Sequence, residues 1–385
     1  MTRTILAVLA VLWMAPAGAA TISVESKSTP GLLPKIETLN STIRITGLIE
    51  AGDADKLRRV LEPLRAKGGG AKPLATAQLS SKGGDFHEGL KLGYLFREFD
   101  VATVVRPEDM CLSSCALAFL GGTREQNPPF AEPSRTIHLG GKVGFHNFFL
   151  SSPSDLASRS KSVNEGVITG FNIARGGAAA LIAYANHMGI DPAFVARMMG
   201  MPPDAWEYVE SSQSFLELKV CPVGLDKLSS NLAAIATNVC NHAASGMGYA
   251  TPQQARLLSP RDARRHLLEG VRDTAQALSP KNPFVVQLSA VLASRDDGLV
   301  ETVYEGLRTS GVTLPEIKSN NYEVTGYSLA GVPMDCHVGI SRENPARYDV
   351  VLTSNQRLIP PFRKPPAECP LVFLFDPDEA LHASR

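Results

Sequence analysis

Met110–Gly122 reads MCLSSCALAFLGG, with two serines between two cysteines and an apolar run behind them. A hydroxyl at the start of a helix sits at the positive end of its dipole. With a proton acceptor beside it, it can attack a carbonyl as a nucleophile. Ser113 and Ser114 suit a structural task equally well, because serine is a preferred helix N-cap. A second stretch, VGFHNF, carries His146 on an alternating strand whose packing candidates are Val143, Phe145 and Phe148. An imidazole there can move a proton near neutral pH or serve simply as a satisfied structural residue. The third stretch is LSSKGGDFHEGLKLG, Leu79–Gly93, a strand running through Gly-Gly into a helix. Glycines let the backbone approach a ligand closely, and helix N-terminal amides can hold an oxyanion. Such turns are also common punctuation.

The surrounding pattern says what must position these groups. STIRITGLIEAG (Ser41–Gly52) alternates as a strand, and DADKLRRVLEPLRAK (Asp53–Lys67) has helical spacing behind a capping Asp53. LATAQLSS reads as a buried strand, Phe86–Phe99 as a helix and Val101–Val105 as a strand, with the serine helix next. Strand–helix alternation of this kind predicts an α/β domain with a largely parallel sheet. Gly140–Leu150 is a further strand. About 153 to 200 is helical with a break near Gly189–Pro192. Ser259–Leu278 opens with a cap serine and a proline. Beyond about 285 an interrupted helix, Leu288 to Leu307, precedes strands in NNYEVTGYSLAGVPMDCHVGIS, RYDVVLTS and PLVFLF. The expected organisation is an export signal over 1–20, a lead-in over 21–40, an α/β domain over 41–235, a helical connector over 236–284 and a small α+β domain over 285–385.

Composition narrows the function classes. The 385 residues are 44% hydrophobic and 20% charged with a formal net charge of +0, and no basic stripe argues for nucleic acid. MTRTILAVLAVLWMAPAGAA has a cationic start, a short apolar core and an A-x-A end, the signature of a cleaved signal peptide and of a bacterial periplasmic or secreted protein. No later stretch reads as long and apolar enough to span a bilayer, so no membrane span is expected after cleavage. Six cysteines, Cys111, Cys115, Cys221, Cys240, Cys336 and Cys369, suit disulfides in an oxidising compartment. Their pairing is open, with 111–115, 221–240 and 336–369 the simplest set. C-x-x-C spacing is absent, no histidine is suitably placed, and no metal or other cofactor is expected.

The order Gly-Gly turn, serine at a helix start, then G-x-H on a strand resembles the Clp-type serine peptidases of the ClpP/crotonase superfamily. More specifically it resembles a periplasmic branch with C-x-S-x-C around the serine, and the resemblance covers roughly 41–225. That resemblance implies a spiral of β-β-α units. It implies Ser113, nine residues before Gly122, as nucleophile, His146 as general base, and the Gly84 and Ser114 N–H groups as oxyanion hole. It also implies a homo-oligomer and a peptide or unfolded-protein substrate. The third catalytic member is an acid before the domain's last strand, for which Asp204 is the choice and Glu207 the alternative. The Ser–His interval here holds an extra loop, TREQNPPFAEPSRTIHLGG, whose His138 is a rival base. A non-catalytic scaffold of the same fold, binding a peptide or envelope partner, is the competing reading.

Overall fold

The computed structural model describes residues 19–30, 37–67, 72–127, 130–147, 163–202, 204–225, 229, 231–244, 255–317, 320–329, 331–341, 343–354, 357–366 and 369–381. Most of the expected export segment and Phe148 lie outside the described residues. The chain forms a mixed α/β structure with a mostly parallel sheet and a separate antiparallel sheet near its C-terminus. It divides into two compact units, 1–208 and 209–385.

In the first unit, β1 (Thr21–Pro30) pairs antiparallel with β2 (Glu37–Thr46). The described parts of the stretch read as a lead-in, 21–30 and 37–40, are therefore strand. Its Ser/Thr/Lys content hid the strand. Helix α1 (Asp53–Lys67) leads to β3 (Ala75–Ser80), parallel to β2. Helix α2 (Phe86–Glu98) is capped by Asp85, whose carboxylate accepts the Glu88 N–H at 2.8 Å. Then β4 (Val101–Val105), wholly buried, extends the parallel set. Short β5 (Met110–Leu112) hands the chain to α3 (Ser114–Phe119). The extra loop folds as an antiparallel pair, β6 (Thr123–Asn127) with β7 (Phe130–Pro133). It continues as β8 (Arg135–His138), parallel to β4. Strand β9 (Lys142–Phe145) leaves this sheet and runs parallel to β5. Helices α4 (Val163–Met188) and α5 (Pro192–Gly200) follow, and β10 (Glu207–Tyr208) pairs antiparallel with β9.

Helix α4 corrects one expectation. Glu165–Met188 is long and apolar enough by length and composition to cross a membrane. Interspersed Asn172 and Arg175 and a run of glycine and alanine conceal it as an apolar stretch. Its last turns are core: Leu181, Tyr184, Ala185 and Met188 are buried, and Tyr184 donates its hydroxyl to Leu117 O. Its first turns expose Val167, Ile168 and Phe171.

The second unit opens with α6 (Ser212–Glu217) and β11 (Cys221–Val223), followed by α7 (Leu232–Ala243). Strand β12 (Arg256–Leu258) begins a five-stranded antiparallel sheet, and α8 (Pro260–Leu278) follows it, capped by Ser259. Helices α9 (Pro283–Ala293) and α10 (Asp297–Thr309) come next. The sheet is completed by β13 (Asn320–Leu329), β14 (Val332–Ile340), β15 (Tyr348–Ser354) and β16 (Arg357–Ile359). The described residues of 236–284 thus belong to this unit. Leu267, Leu268, Val271, Leu288, Val300 and Tyr304 of α8–α10 form one core with Val351 of β15.

All six cysteines are paired: 111–115, 221–369 and 240–336. The sequential pairing fails for two of three bridges. Helix α7 brings Cys240 against β14, 5.8 Å from Cys336 between Cα atoms, and this frees Cys369 for Cys221. PLVFLF is not a strand either. Pro370–Leu374 is a 3₁₀ helix behind the tethered Cys369, and its Leu374 carbonyl accepts from Asn238 of α7.

His242 of α7 is buried, stacks on Phe373 and lies 2.9 Å from Phe375 O through Nε2. Desolvation pushes it down to about 4, against the pull of the Phe375 carbonyl. The folded state therefore disfavours the imidazolium. The stability tied to neutral His242 is present above pH 6.5 and is lost as pH falls toward about 4. A tenfold change in proton affinity is about 1.4 kcal/mol, so the loss is about 3 kcal/mol. Melting curves between pH 7 and 4 should show it as a falling Tm, and His242→Asn should flatten that limb.

Candidate active site

The site is built where β5 ends. Parallel pairing sets Leu112 beside Gly144, and Ser113 N–H donates to Gly144 O at 2.9 Å. The next positions on the two strands are Ser113 and Phe145, and one step further β9 delivers His146. His146 Nε2 lies 2.7 Å from Ser113 Oγ. With the lone pair on Nε2, the serine O–H donates and the imidazole accepts, the arrangement a general base requires. Among the described residues, the structure brings these two sequence-derived candidates into direct contact.

The backbone at Ser113 explains why its hydroxyl is presented. Ser113 has φ 57° and ψ −125°, a sparsely populated region for a residue with a Cβ, and it makes no side-chain cap bond to α3. The capping role serine often plays is absent. Ser114 is different: it is buried, and its hydroxyl has no hydrogen-bond partner among the described residues. It faces α2, where a Cβ on Gly89 would come within 2.7 Å of Ser114 Cβ. Of the two hydroxyls, that of half-buried Ser113 is the one an imidazole reaches. The Cys111–Cys115 bridge clamps both sides of this turn, with Cα atoms 5.1 Å apart.

The Gly-Gly turn lies directly against it. Gly83 has φ 96°, and a Cβ there would lie 2.7 Å from both Leu112 O and Ser113 Cβ. Gly84 has φ 147° and abuts Ile49, where a Cβ would come 2.1 Å from Ile49 O. Ile49 takes Gly83 O and the Asp85 N–H into a ladder, which leaves the Gly84 N–H outside that pairing. Ser114 opens α3, so its N–H has no acceptor within the helix. Both proposed oxyanion donors are thus outside the local ladders, while Gly83 makes the contact with the serine turn.

The two candidate acids differ in their surroundings. Asp204 is exposed. Glu207 is ion-paired with Arg197 at 3.1 Å. What the β9–β10 register does bring to His146 is Trp206. Glu207 pairs with Phe145, so Trp206 falls level with His146, and the ring centroids are 4.5 Å apart. Tyr208 stacks on Trp206 at 6.0 Å, and both aromatic rings are exposed. Asn147 anchors the end of β9 by donating to Met199 O at 2.9 Å. His138 ends β8 and turns the chain through its carbonyl to Gly141 N–H. The sequence reading includes the Gly-Gly turn but not Asn147 or Trp206. The aromatic pair in AWEY, two residues apart on a strand, was the available signal for Trp206.

A scan of the chain against models of protein families finds no match, and no curated protein sequence matches it.

Gly83→Ala tests the packing of this turn. A Cβ meeting backbone at Leu112 O in a positive-φ conformation should cost about 1–3 kcal/mol and shift the Ser113 turn. The expected outcome is a lower Tm together with slower modification of Ser113 by a serine-directed probe. Gly176→Ala, on an open helix face, should change neither.

Proposed function

We propose that the chain is an exported, ATP-independent serine hydrolase, a peptidase acting through an acyl-enzyme on Ser113 with His146 as general base. It would be carried on a ClpP/crotonase-like spiral of β-β-α units. The observation that carries this reading is the 2.7 Å contact between His146 Nε2 and Ser113 Oγ at a strained strand-to-helix turn. The mostly parallel sheet, with a second small sheet holding β5 and β9, supports the fold assignment. Three disulfides are consistent with an oxidising compartment.

In the proposed reaction His146 Nε2 takes the Ser113 proton as Oγ bonds to the scissile carbonyl carbon. The tetrahedral oxyanion accepts from the Gly84 and Ser114 N–H groups. The imidazolium then protonates the leaving amine as the C–N bond breaks, and an acyl-serine remains. Water, deprotonated by His146, releases the acid and restores the serine. Trp206 would hold the imidazole plane from one side, and with Tyr208 it offers an apolar wall to a substrate side chain. The exposed apolar first turns of α4 fit a homo-oligomer.

The exposed position of Asp204 and the commitment of Glu207 to Arg197 favour the second reading, a non-catalytic scaffold. A fluorophosphonate probe separates the two. The hydrolase reading expects one adduct on Ser113, abolished in Ser113→Ala, retained in Ser114→Ala and formed about 10²–10⁴-fold more slowly in His146→Ala. Absence of any adduct on well-folded protein would leave the scaffold reading.

A further inference from the structure

Outside the serine site, among the described residues, a cluster of titratable side chains lies in the second unit, between α8 and the sheet. Glu323 of β13 and His337 of β14 are direct cross-strand partners. His266 of α8 stands over them, with Nε2 3.7 Å from Glu323 Oε1 and its ring centroid 4.7 Å from that of His337. One donor atom from each of the three lies within 4.8 Å of the other two. Glu323 and His337 are buried, and His266 is partly open to solvent.

A separate observation points to a ligand. His337 is 3% exposed, and its Nδ1 has no hydrogen-bond partner among the described residues. Its Nε2 lies 3.3 Å from Thr353 Oγ1. An imidazole that donates Nε2–H to a hydroxyl keeps a bare lone pair on Nδ1, and leaving such an atom buried without a partner is costly. Metal-ligating histidines use their second nitrogen in just this way, donating to an outer partner that fixes the ring. Glu323 is divided similarly. Arg256 holds Oε2, and Oε1 is the oxygen turned toward His266.

We propose that His266, Glu323 and His337 form a binding site for a zinc-class divalent ion. Two imidazoles and one carboxylate are a nitrogen/oxygen set that zinc accepts. Imidazole suits zinc, copper and nickel better than magnesium or calcium. Bonds of about 2.0–2.1 Å place tetrahedral donors about 3.3 Å apart. The three donors therefore need to close by about 1.5 Å at most, a movement within reach of side-chain rotation at His266. Three protein ligands leave one position for water. The expectation of no metal rests on absent C-x-x-C spacing and on no suitably placed histidine; this site uses no thiolate, every cysteine being held in a disulfide, and its two histidines come from separate elements, α8 and β14.

The test uses the full chain stripped of metal by a chelator. It is titrated with Zn²⁺ alone by calorimetry and with Co²⁺ by visible absorption. The proposal expects saturable binding of one ion and the d–d bands of a low-coordinate, nitrogen-ligated cobalt. It also expects at least about 100-fold weaker binding in His266→Ala and Glu323→Gln. His266→Ala is decisive because that residue is the exposed member, and its unchanged melting curve and disulfide content verify folding. Fluorophosphonate labelling should be the same in wild type and His266→Ala, which keeps this site distinct from the serine. Absence of saturable binding, or binding by His266→Ala as tight as wild type, would overturn the proposal.

Discussion

Ser113 is held at φ 57° by its surroundings rather than by its own preference. A serine left to itself would relax from a conformation costing about 1–3 kcal/mol. Four contacts prevent this. Its N–H is bound to Gly144 O, Gly83 fills the space beside its Cβ, α3 begins at the next residue, and the Cys111–Cys115 bridge spans the turn. The same distortion points the hydroxyl away from the α3 amides it would otherwise cap and toward the end of β9. The rest of the site follows from that one turn.

Two registers then finish the placement. The parallel β5–β9 pairing determines which residue of β9 reaches the hydroxyl, and a one-residue slip would present Phe145 or Asn147 in place of His146. Antiparallel β10 likewise sets Trp206 against the imidazole. Buried Phe145, packed edge-on against Phe194, resists such a slip because it would carry the ring out of the core. Close backbone approaches secure the layers behind: Gly121 lies against Gly93, and Gly93 against the Tyr184 hydroxyl. Buried Arg135 of β8, pushed down to about 10 by desolvation, spends an N–H on Met188 O at the end of α4.

The second unit rests on a different balance. Its sheet is covered on one face by α8–α10, which supply an apolar core, and it meets α7 through Cys240–Cys336. Residue alternation along β14 follows from this: Cys336 turns to α7 and His337 to α8. A strand buried on both faces usually reads as continuously apolar. Here Glu323, His337 and Thr353 are buried among the hydrophobic residues, and burial of polar groups needs compensation. Arg256 provides part of it for Glu323.

The sequence by itself determined what local chemistry controls. Strand–helix alternation, the Ser259 cap, the break between α4 and α5 and the Cys111–Cys115 bridge all depend on residues a few positions apart. Ser113 and His146 were legible because each sits at the end of a recognisable element. Tertiary structure decided everything that required distant segments to meet. It paired Cys221 with Cys369 and Cys240 with Cys336, made 21–30 a strand, turned PLVFLF into a 3₁₀ helix and exposed Asp204 while setting Trp206 on the imidazole. It also gathered His266, Glu323 and His337 from three separate elements. Periodicity reports which face of an element is apolar, but register and layer order set which residues share a site. Those depend on the packing of the whole unit, and no short stretch of sequence encodes them.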